Sequence, residues 1–207
     1  MPIDPSHHDR YVLRQLIRPV INQYEITLPG PDGAPGEPVA FVEQARFKFK
    51  EDIRFYTDSS KAVELMRLKA RQRFDPRARY DVTDDRGGKI GEIQKVFGES
   101  LLRSTYRLYD QAGEEVATAR ERSVFVALLR RLVEFIPYVG DYADWLPIPY
   151  HFDFVRGDRV LGSHERRTGL LKFRDVYDID MSPDSDRLVD RRLVLAIAVG
   201  MDALQAR

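Results

Sequence analysis

Two basic segments of the sequence have the side-chain pattern that binding to phosphate groups requires. In Arg46–Lys50 and in Val63–Arg73, cationic residues alternate with apolar ones, so in extended strands the cations share one face. Several convergent Lys and Arg side chains suit an anionic headgroup, because a guanidinium can form two parallel hydrogen bonds with phosphate. The pattern predicts a binding site for anionic phospholipid headgroups at Lys48, Lys50, Lys69, Arg71 and Arg73. It also fits the solvated outer face of a sheet, and the sequence leaves both interpretations open.

The charges of the chain are balanced overall but unevenly distributed. The sequence holds 33 basic and 33 acidic residues, so its net charge gives no reason to expect a polyanionic partner. Between Arg46 and Arg79 there are eleven basic and five acidic residues, whereas Asp175–Asp190 holds six Asp and one Arg. The aromatic residues beside Lys48 and Lys50 alternate to the opposite face instead of forming a stacking platform for bases. We therefore expect a basic face on an otherwise acidic body, and no nucleic acid partner.

The segment 123–150 offers a second kind of surface. Its first part, Ser123–Ile136, is apolar apart from a narrow polar stripe, which predicts a helix, and the remainder is rich in aromatic residues and turns. Trp and Tyr favour membrane interfaces, and apolar helices dock on partner proteins. The segment could thus present a partner or membrane surface at Phe135, Tyr138, Tyr142 and Trp145. The alternative is that it caps one end of its own fold.

Residue types that support catalysis or metal binding are scarce or poorly spaced. The chain has no cysteine, which excludes disulfides and thiolate chemistry, and its four histidines show no metal-binding spacing. The glycines of Gly87–Gly91 lack P-loop spacing and suit a hairpin turn. A hard cation such as Ca²⁺ could bind the aspartates at 178, 180, 184 and 186, although the EF-hand order is missing and these residues also suit a strand end and a helix start. We expect no enzyme activity, catalytic residue, cofactor or metal site.

An internal repeat of 26 residues indicates which elements carry these side chains. Asp32, Asp58, Asp84 and Asp110 follow one another at this interval, and the last two stand between alternating strands with a Gly nearby. Asp and Gly are favoured in hairpin turns, because Asp accepts hydrogen bonds from its own downstream backbone and Gly tolerates positive φ. A fifth hairpin follows in Phe152–Ser163, displaced from the repeat by the 123–150 insertion.

The hairpins predict a closed antiparallel barrel. The alternating segments number about twelve, near 11–17, 23–28, 38–50, 53–57, 62–73, 79–84, 89–97, 105–109, 115–122, 151–155, 159–167 and 173–180. Mostly turns connect them, which is typical of a meander, and a sheet this large normally closes or splits. Closure also removes the exposed edges. We expect one domain over residues 1–207, mainly β.

In the C-terminal part of the chain the alternation of apolar and polar residues that is typical of strands ends. A helix is predicted from about Asp184, with Asp and Ser as cap candidates, and Leu193–Met201 holds nine consecutive apolar or Gly residues. Such a helix is buried on every side, and it is shorter than the ~17–25 residues that cross a membrane. The barrel is the only hollow object in the chain that could enclose it. The N-terminus resembles no secretion signal, so we expect a cytoplasmic protein without a transmembrane segment.

The repeated hairpins, the ending Tyr177–Asp180 and the helix Arg192–Leu204 resemble the LURP-one-related group of the tubby C-terminal-like superfamily. The resemblance covers about residues 10–207. It implies a twelve-stranded barrel around a central helix, a fold that phospholipid scramblases share. Because tubby domains bind phosphoinositides, it also implies a lipid-binding role.

These observations favour a noncatalytic binding domain for phospholipid surfaces or anionic lipid headgroups, cytoplasmic and peripheral at the membrane. The alternative is a protein-interaction or structural module that binds a partner through the 123–150 insertion.

Overall fold

Twelve antiparallel strands close into a barrel in the computed structural model, which describes residues 3–16, 21–44, 52–71, 79–96, 104–122, 151–167 and 175–205. The strands are β1 Arg10–Leu16, β2 Asn22–Pro29, β3 Pro35–Gln44, β4 Asp52–Tyr56, β5 Glu64–Ala70, β6 Arg79–Asp84, β7 Lys89–Val96, β8 Thr105–Tyr109, β9 Glu115–Glu121, β10 His151–Arg156, β11 Arg159–Arg166 and β12 Val176–Asp180. Each strand pairs with its neighbours in sequence, and β12 pairs with β1. The predicted closed meander of twelve strands is confirmed.

The repeated aspartates stabilise the turns between the strands. The Asp84 carboxylate accepts hydrogen bonds from the backbone amides of Arg86 (3.0 Å) and Gly88 (2.6 Å). Asp58 accepts one from Ser60 (2.8 Å), and Asp110 one from Glu114 (2.9 Å). All these turns join an even-numbered strand to the next odd-numbered one, so they lie at the same end of the barrel, which we call the turn end. The other end, where β1 finishes at Leu16, is the rim end.

The helix α1, Arg191–Gln205, fills the barrel. Its residues from Leu193 to Val199 are at most 1% exposed, which confirms the predicted burial on every side. One glycine of the wall permits this close packing: a Cβ at Gly91 would lie 2.5 Å from the carbonyl oxygen of Tyr109 and 3.1 Å from Leu193. No helix in the described part of the chain is long and apolar enough to span a membrane.

The helix begins at Arg191, seven residues after the predicted start at Asp184, and that prediction was wrong. Asp184 caps a turn instead, because its carboxylate accepts hydrogen bonds from the amides of Leu188 (3.0 Å) and Val189 (3.1 Å). Asp190 caps the helix by accepting from the amide of Arg192 (2.8 Å). Asp184 has the cap chemistry that the sequence indicated, but the residue that precedes the helix is Asp190, which was not predicted as a cap.

A buried arginine joins the start of α1 to two other parts of the chain. The Arg191 side chain is 2% exposed, and its guanidinium donates to the carboxylates of Asp9 (2.8 Å) and Asp184 (2.7 Å) and to the carbonyl of Val189 (2.9 Å). Burial opposes ionisation of Asp184, but the bonds from Arg191 and from two backbone amides outweigh it and hold the pKa of Asp184 below its ordinary value. This cluster fixes the N-terminal segment and the linker to the helix at the turn end.

Candidate functional site

Two of the five predicted ligand cations lie within the described residues, and both face outward. Lys69 is on β5, and Arg71 is the first residue after that strand. Met66 and Leu68 of β5 point into the core. The alternation that the sequence indicated in β5 is therefore present. Lys48, Lys50 and Arg73 lie outside the described residues, as do Phe135, Tyr138, Tyr142 and Trp145 of the insertion.

Neighbouring strands add cations and carboxylates to this surface, which we call the β4–β7 face. Its cations are Arg54, Arg67, Lys69, Arg71, Arg79 and Lys89, and its carboxylates are Asp52, Glu64, Asp81 and Glu92. The face thus holds six positive and four negative side chains within the described residues. An anion that approaches it meets a surplus of positive charge that is already partly neutralised.

The two arginines of the β5 segment are bound by carboxylates. The Arg67 guanidinium donates to Asp52 through both Nε, at 2.6 Å, and Nη2, and these hydrogen bonds to the Asp52 carboxylate raise the pKa of Arg67. Arg71 donates to Asp81 at 2.7 Å, and this bond raises the pKa of Arg71. These contacts keep both guanidiniums charged and fixed in orientation, but they occupy donors that a phosphate group would need.

One carboxylate of the β4–β7 face lies close to three cations. Glu92 on β7 has a side chain only 8% exposed, and it lies 2.6 Å from Arg71, 3.0 Å from Arg79 and 3.9 Å from Lys89. A single negative charge cannot neutralise three positive ones, so the group keeps a net positive charge. The side chains of Arg79 and Lys89 are each more than a third exposed, so the positive charge of the group lies at the surface.

Lys69 differs from the arginines around it. By register it lies between Asp52 on β4 and Asp81 on β6, but Arg67 and Arg71 bind those carboxylates. Its side chain is exposed, and no ion pair or hydrogen bond joins its ammonium to another of the residues described above. Lys69 is therefore a cation of the face whose donors are available to an external anion.

Comparison with known proteins identifies the family of the barrel. The model of the LURP-one-related family matches residues 39–202, from within β3 to within α1. The chain belongs to the LURP-one-related family. Strands β1 and β2 precede the matched region, yet they complete this LURP-one-related barrel by pairing with β12 and β3. No individual curated protein matches the chain significantly.

The aspartates that the sequence offered as a cation site do not converge in this LURP-one-related barrel. Asp178 binds Arg167, Asp180 lies 3.1 Å from Arg10, Asp184 binds Arg191, and Asp186 lies 2.8 Å from Arg159. Four different arginines thus bind the four carboxylates. Among the described segments there is no group of three or more acidic or histidine side chains with the geometry to hold a metal ion.

The two later histidines, His151 and His164, lie on strands β10 and β11. His164 on β11 is fully buried and stacks on Tyr177, with ring centroids 4.8 Å apart. Burial, and secondarily the nearby His151, lowers the pKa of His164 to about 3. A histidine with this pKa stays uncharged near neutral pH, and its burial in the core indicates a packing role.

Sequence reasoning identified the β5 cations but missed the rest of the β4–β7 face. Arg54 and Arg79 stand on neighbouring strands, and Asp81 and Glu92 face them across the β6–β7 hairpin. Asp84 and Gly87 mark the hairpin, but counting outward from that turn places Asp81 opposite Gly91. A β-bulge between Val82 and Thr83 shifts the register by one residue and brings Asp81 opposite Glu92, and the turn residues do not signal this bulge.

Proposed function

We propose that this LURP-one-related barrel is a noncatalytic domain that binds anionic phospholipid surfaces through its β4–β7 face. The observation that carries the proposal is the surplus of cations on that face together with the ammonium of Lys69, which has no ion pair within the described part of the chain. Cations on a folded surface are each worth about 1 kcal/mol near an anionic leaflet. Several of them acting together give useful binding without a deep pocket.

The pairing of the arginines supports a membrane surface more than a single tightly held headgroup. Arg67 and Arg71 have their forked donors engaged by Asp52 and Asp81, so they contribute mainly charge. A lipid bilayer presents many anionic groups at once, and it can respond to charge without displacing those carboxylates. Lys48, Lys50 and Arg73 belong to the proposal as further cations, because they stand in the segments that follow β3 and β5 in the sequence.

Peripheral membrane association from the cytoplasmic side is part of the same proposal, since the inner leaflet is the anionic one. The noncatalytic role is supported by the state of the polar groups: charged side chains of the face bind one another, and His164 is buried with a low pKa. A protein partner that binds Phe135, Tyr138, Tyr142 and Trp145 is the competing outcome of the test.

Vesicle co-sedimentation tests the proposal. The wild-type protein is mixed with phosphatidylcholine vesicles and with vesicles that contain phosphatidylserine or a phosphoinositide, each at low and high salt. We expect binding only to the anionic vesicles, with loss at high salt because exposed charges are screened within about 10 Å at 0.1 M. Lys69→Gln should weaken that binding and leave thermal unfolding unchanged, because it removes the exposed charge without adding a third carboxylate between Asp52 and Asp81. If the wild type ignores anionic vesicles at low salt, the lipid proposal fails, and the partner alternative takes its place.

A further inference from the structure

The charges of the barrel are polarised along its axis. The turn end comprises residues 3–9, 29–38, 57–63, 84–89, 110–115, 156–159 and 180–190, which hold fifteen acidic and six basic residues. The whole chain has 33 of each, so all the other residues together hold 18 acidic and 27 basic ones. The turn end is strongly negative, and the rest of the molecule is positive by the same amount.

The positive charge is concentrated where the strands reach the rim end. Arg71, Arg122 and Arg167 each directly follow a strand there, β5, β9 and β11, and Arg79 begins β6 opposite Arg71. Lys69 and Arg120 face outward two residues before Arg71 and Arg122. These six residues, which we call the basic rim, are distributed over strands on different sides of the barrel.

Most of the carboxylates that bind the rim arginines lie further from the rim than the arginines do. Backbone hydrogen bonds place Arg71 level with Arg79, Arg122 level with His151, and Arg167 level with Val176. Their carboxylate partners, Asp81, Asp153 and Asp178, each lie two residues further along the neighbouring strand, toward the turn end. Arg122 also binds Glu165 at 2.7 Å, and this carboxylate is level with it, since Glu165 is paired with His151. The pairs with Asp81, Asp153 and Asp178 point their positive member toward the rim, and these three reinforce the axial polarity.

We propose that the barrel meets an anionic membrane end-on, with the whole basic rim toward the leaflet and the acidic turn end away from it. This inference rests on the proposed function and specifies its geometry. Strand β7 runs from the turn end to the rim end and has 8 residues, which span about 26 Å at roughly 3.3 Å per residue and about 20 Å along the axis at a barrel tilt of about 40°. An end-on barrel keeps its acidic end more than two Debye lengths from the leaflet, since the Debye length is about 8 Å at physiological salt. A barrel lying on its side would bring rim and turn end equally close, and the fifteen acidic residues of the turn end would be repelled.

Two matched cations distinguish the orientations. Lys69 on β5 and Arg120 on β9 are both exposed, both lie two residues from a rim arginine, and neither has an ion pair with any residue in the described ranges. They stand four strands apart in the twelve-stranded wall. Contact through the β4–β7 face alone would use Lys69 only, whereas end-on contact uses both. Arg156 is the matched cation at the turn end: it is the exposed last residue of β10 and has no ion pair to a described residue.

The experiment compares Lys69→Gln, Arg120→Gln and Arg156→Gln by sedimentation with phosphatidylcholine–phosphatidylserine vesicles at low salt, with thermal unfolding as the check on folding. Since all three side chains are exposed, folding should be unaffected. End-on contact predicts that the first two variants each bind about fivefold more weakly, and that Arg156→Gln binds as the wild type does. If Arg120→Gln binds as tightly as the wild type while Lys69→Gln binds more weakly, the end-on geometry is wrong and contact through the β4–β7 face alone explains the binding. Equal weakening by Arg156→Gln would show that the barrel has no preferred orientation. A wild type that fails to bind would refute the proposed function itself.

Discussion

Asp184→Asn should destabilise the barrel strongly, although it removes only one negative charge. The Asp184 carboxylate is 0% exposed and serves both Arg191, at 2.7 Å, and the amides of Leu188 and Val189. An Asn amide can accept only through its oxygen, so its NH₂ group must face one of these donors. The variant loses a buried ion pair and leaves a donor unsatisfied.

The expected cost follows from the burial of Arg191, whose side chain is 2% exposed. Removing one partner of a buried pair costs about 3–5 kcal/mol. The carboxylate of Asp9 still binds Arg191, at 2.8 Å, which places the cost near the lower limit. For a protein of this size 1 kcal/mol corresponds to about 2–4 °C in Tm, so Asp184→Asn should lower Tm by about 6–12 °C.

Asp186→Asn is the matched control, because it makes the same Asp-to-Asn change only two residues from Asp184. Its ion pair with Arg159, at 2.8 Å, involves side chains 60% and 46% exposed, and exposed pairs contribute about 0–1 kcal/mol. Thermal unfolding at pH 7 should therefore separate the two variants clearly. A Tm for Asp184→Asn no lower than that of Asp186→Asn would refute the view that the Arg191 cluster holds the turn end together.

The pH dependence gives an independent check on the same residue. The pKa of Asp184 in the folded protein is below its ordinary value of 3.8, so the folded state favours the ionised form. Its contribution to stability is then complete above the unfolded pKa and is lost as pH falls through the folded one. The difference in stability between wild type and Asp184→Asn should be constant near neutral pH and should shrink only below about pH 4. A difference that does not shrink there would mean that the carboxylate charge is not its source.

Three further changes test the core and the insertion. Leu195→Asp places an unpaired charge in a helix position that is 0% exposed, so it should prevent folding; a soluble variant that unfolds like the wild type would contradict the threaded barrel. Because β9 and β10 are paired neighbours, replacing Val124–Pro149 with a short Gly/Asn turn should preserve the β-rich circular dichroism spectrum and cooperative unfolding, whereas aggregation would show that the segment seals the core. The pKa of His164 falls from 6.5 to about 3 on folding, so wild-type stability should decline as pH drops below 6.5, and His164→Phe should lack this decline in urea unfolding at pH 7 and pH 4.5.

The turns made most of the fold predictable, because their chemistry is local. Asp84 and Asp110 bind backbone amides only two to four residues away, so their spacing alone marks the hairpins. The start of the helix was not predictable in this way. Asp184 and Asp190 are both suitable caps, and the choice between them involves Arg191, whose other partner, Asp9, is 182 residues away in sequence. A contact between such distant residues leaves no periodic pattern.

The electrostatics of the β4–β7 face were likewise only partly predictable from the sequence. Alternation along β5 correctly predicted which cations face outward, but whether a cation is available depends on the adjacent strands. From the sequence alone, Arg71 is the better phosphate ligand because of its forked donors, yet Asp81 and Glu92 already bind it. Lys69 remains available because Arg67 and Arg71 engage the two carboxylates beside it. An ammonium is a point charge without fork geometry. A face whose available cation is of this kind should respond to the charge density of a membrane more than to the stereochemistry of one headgroup.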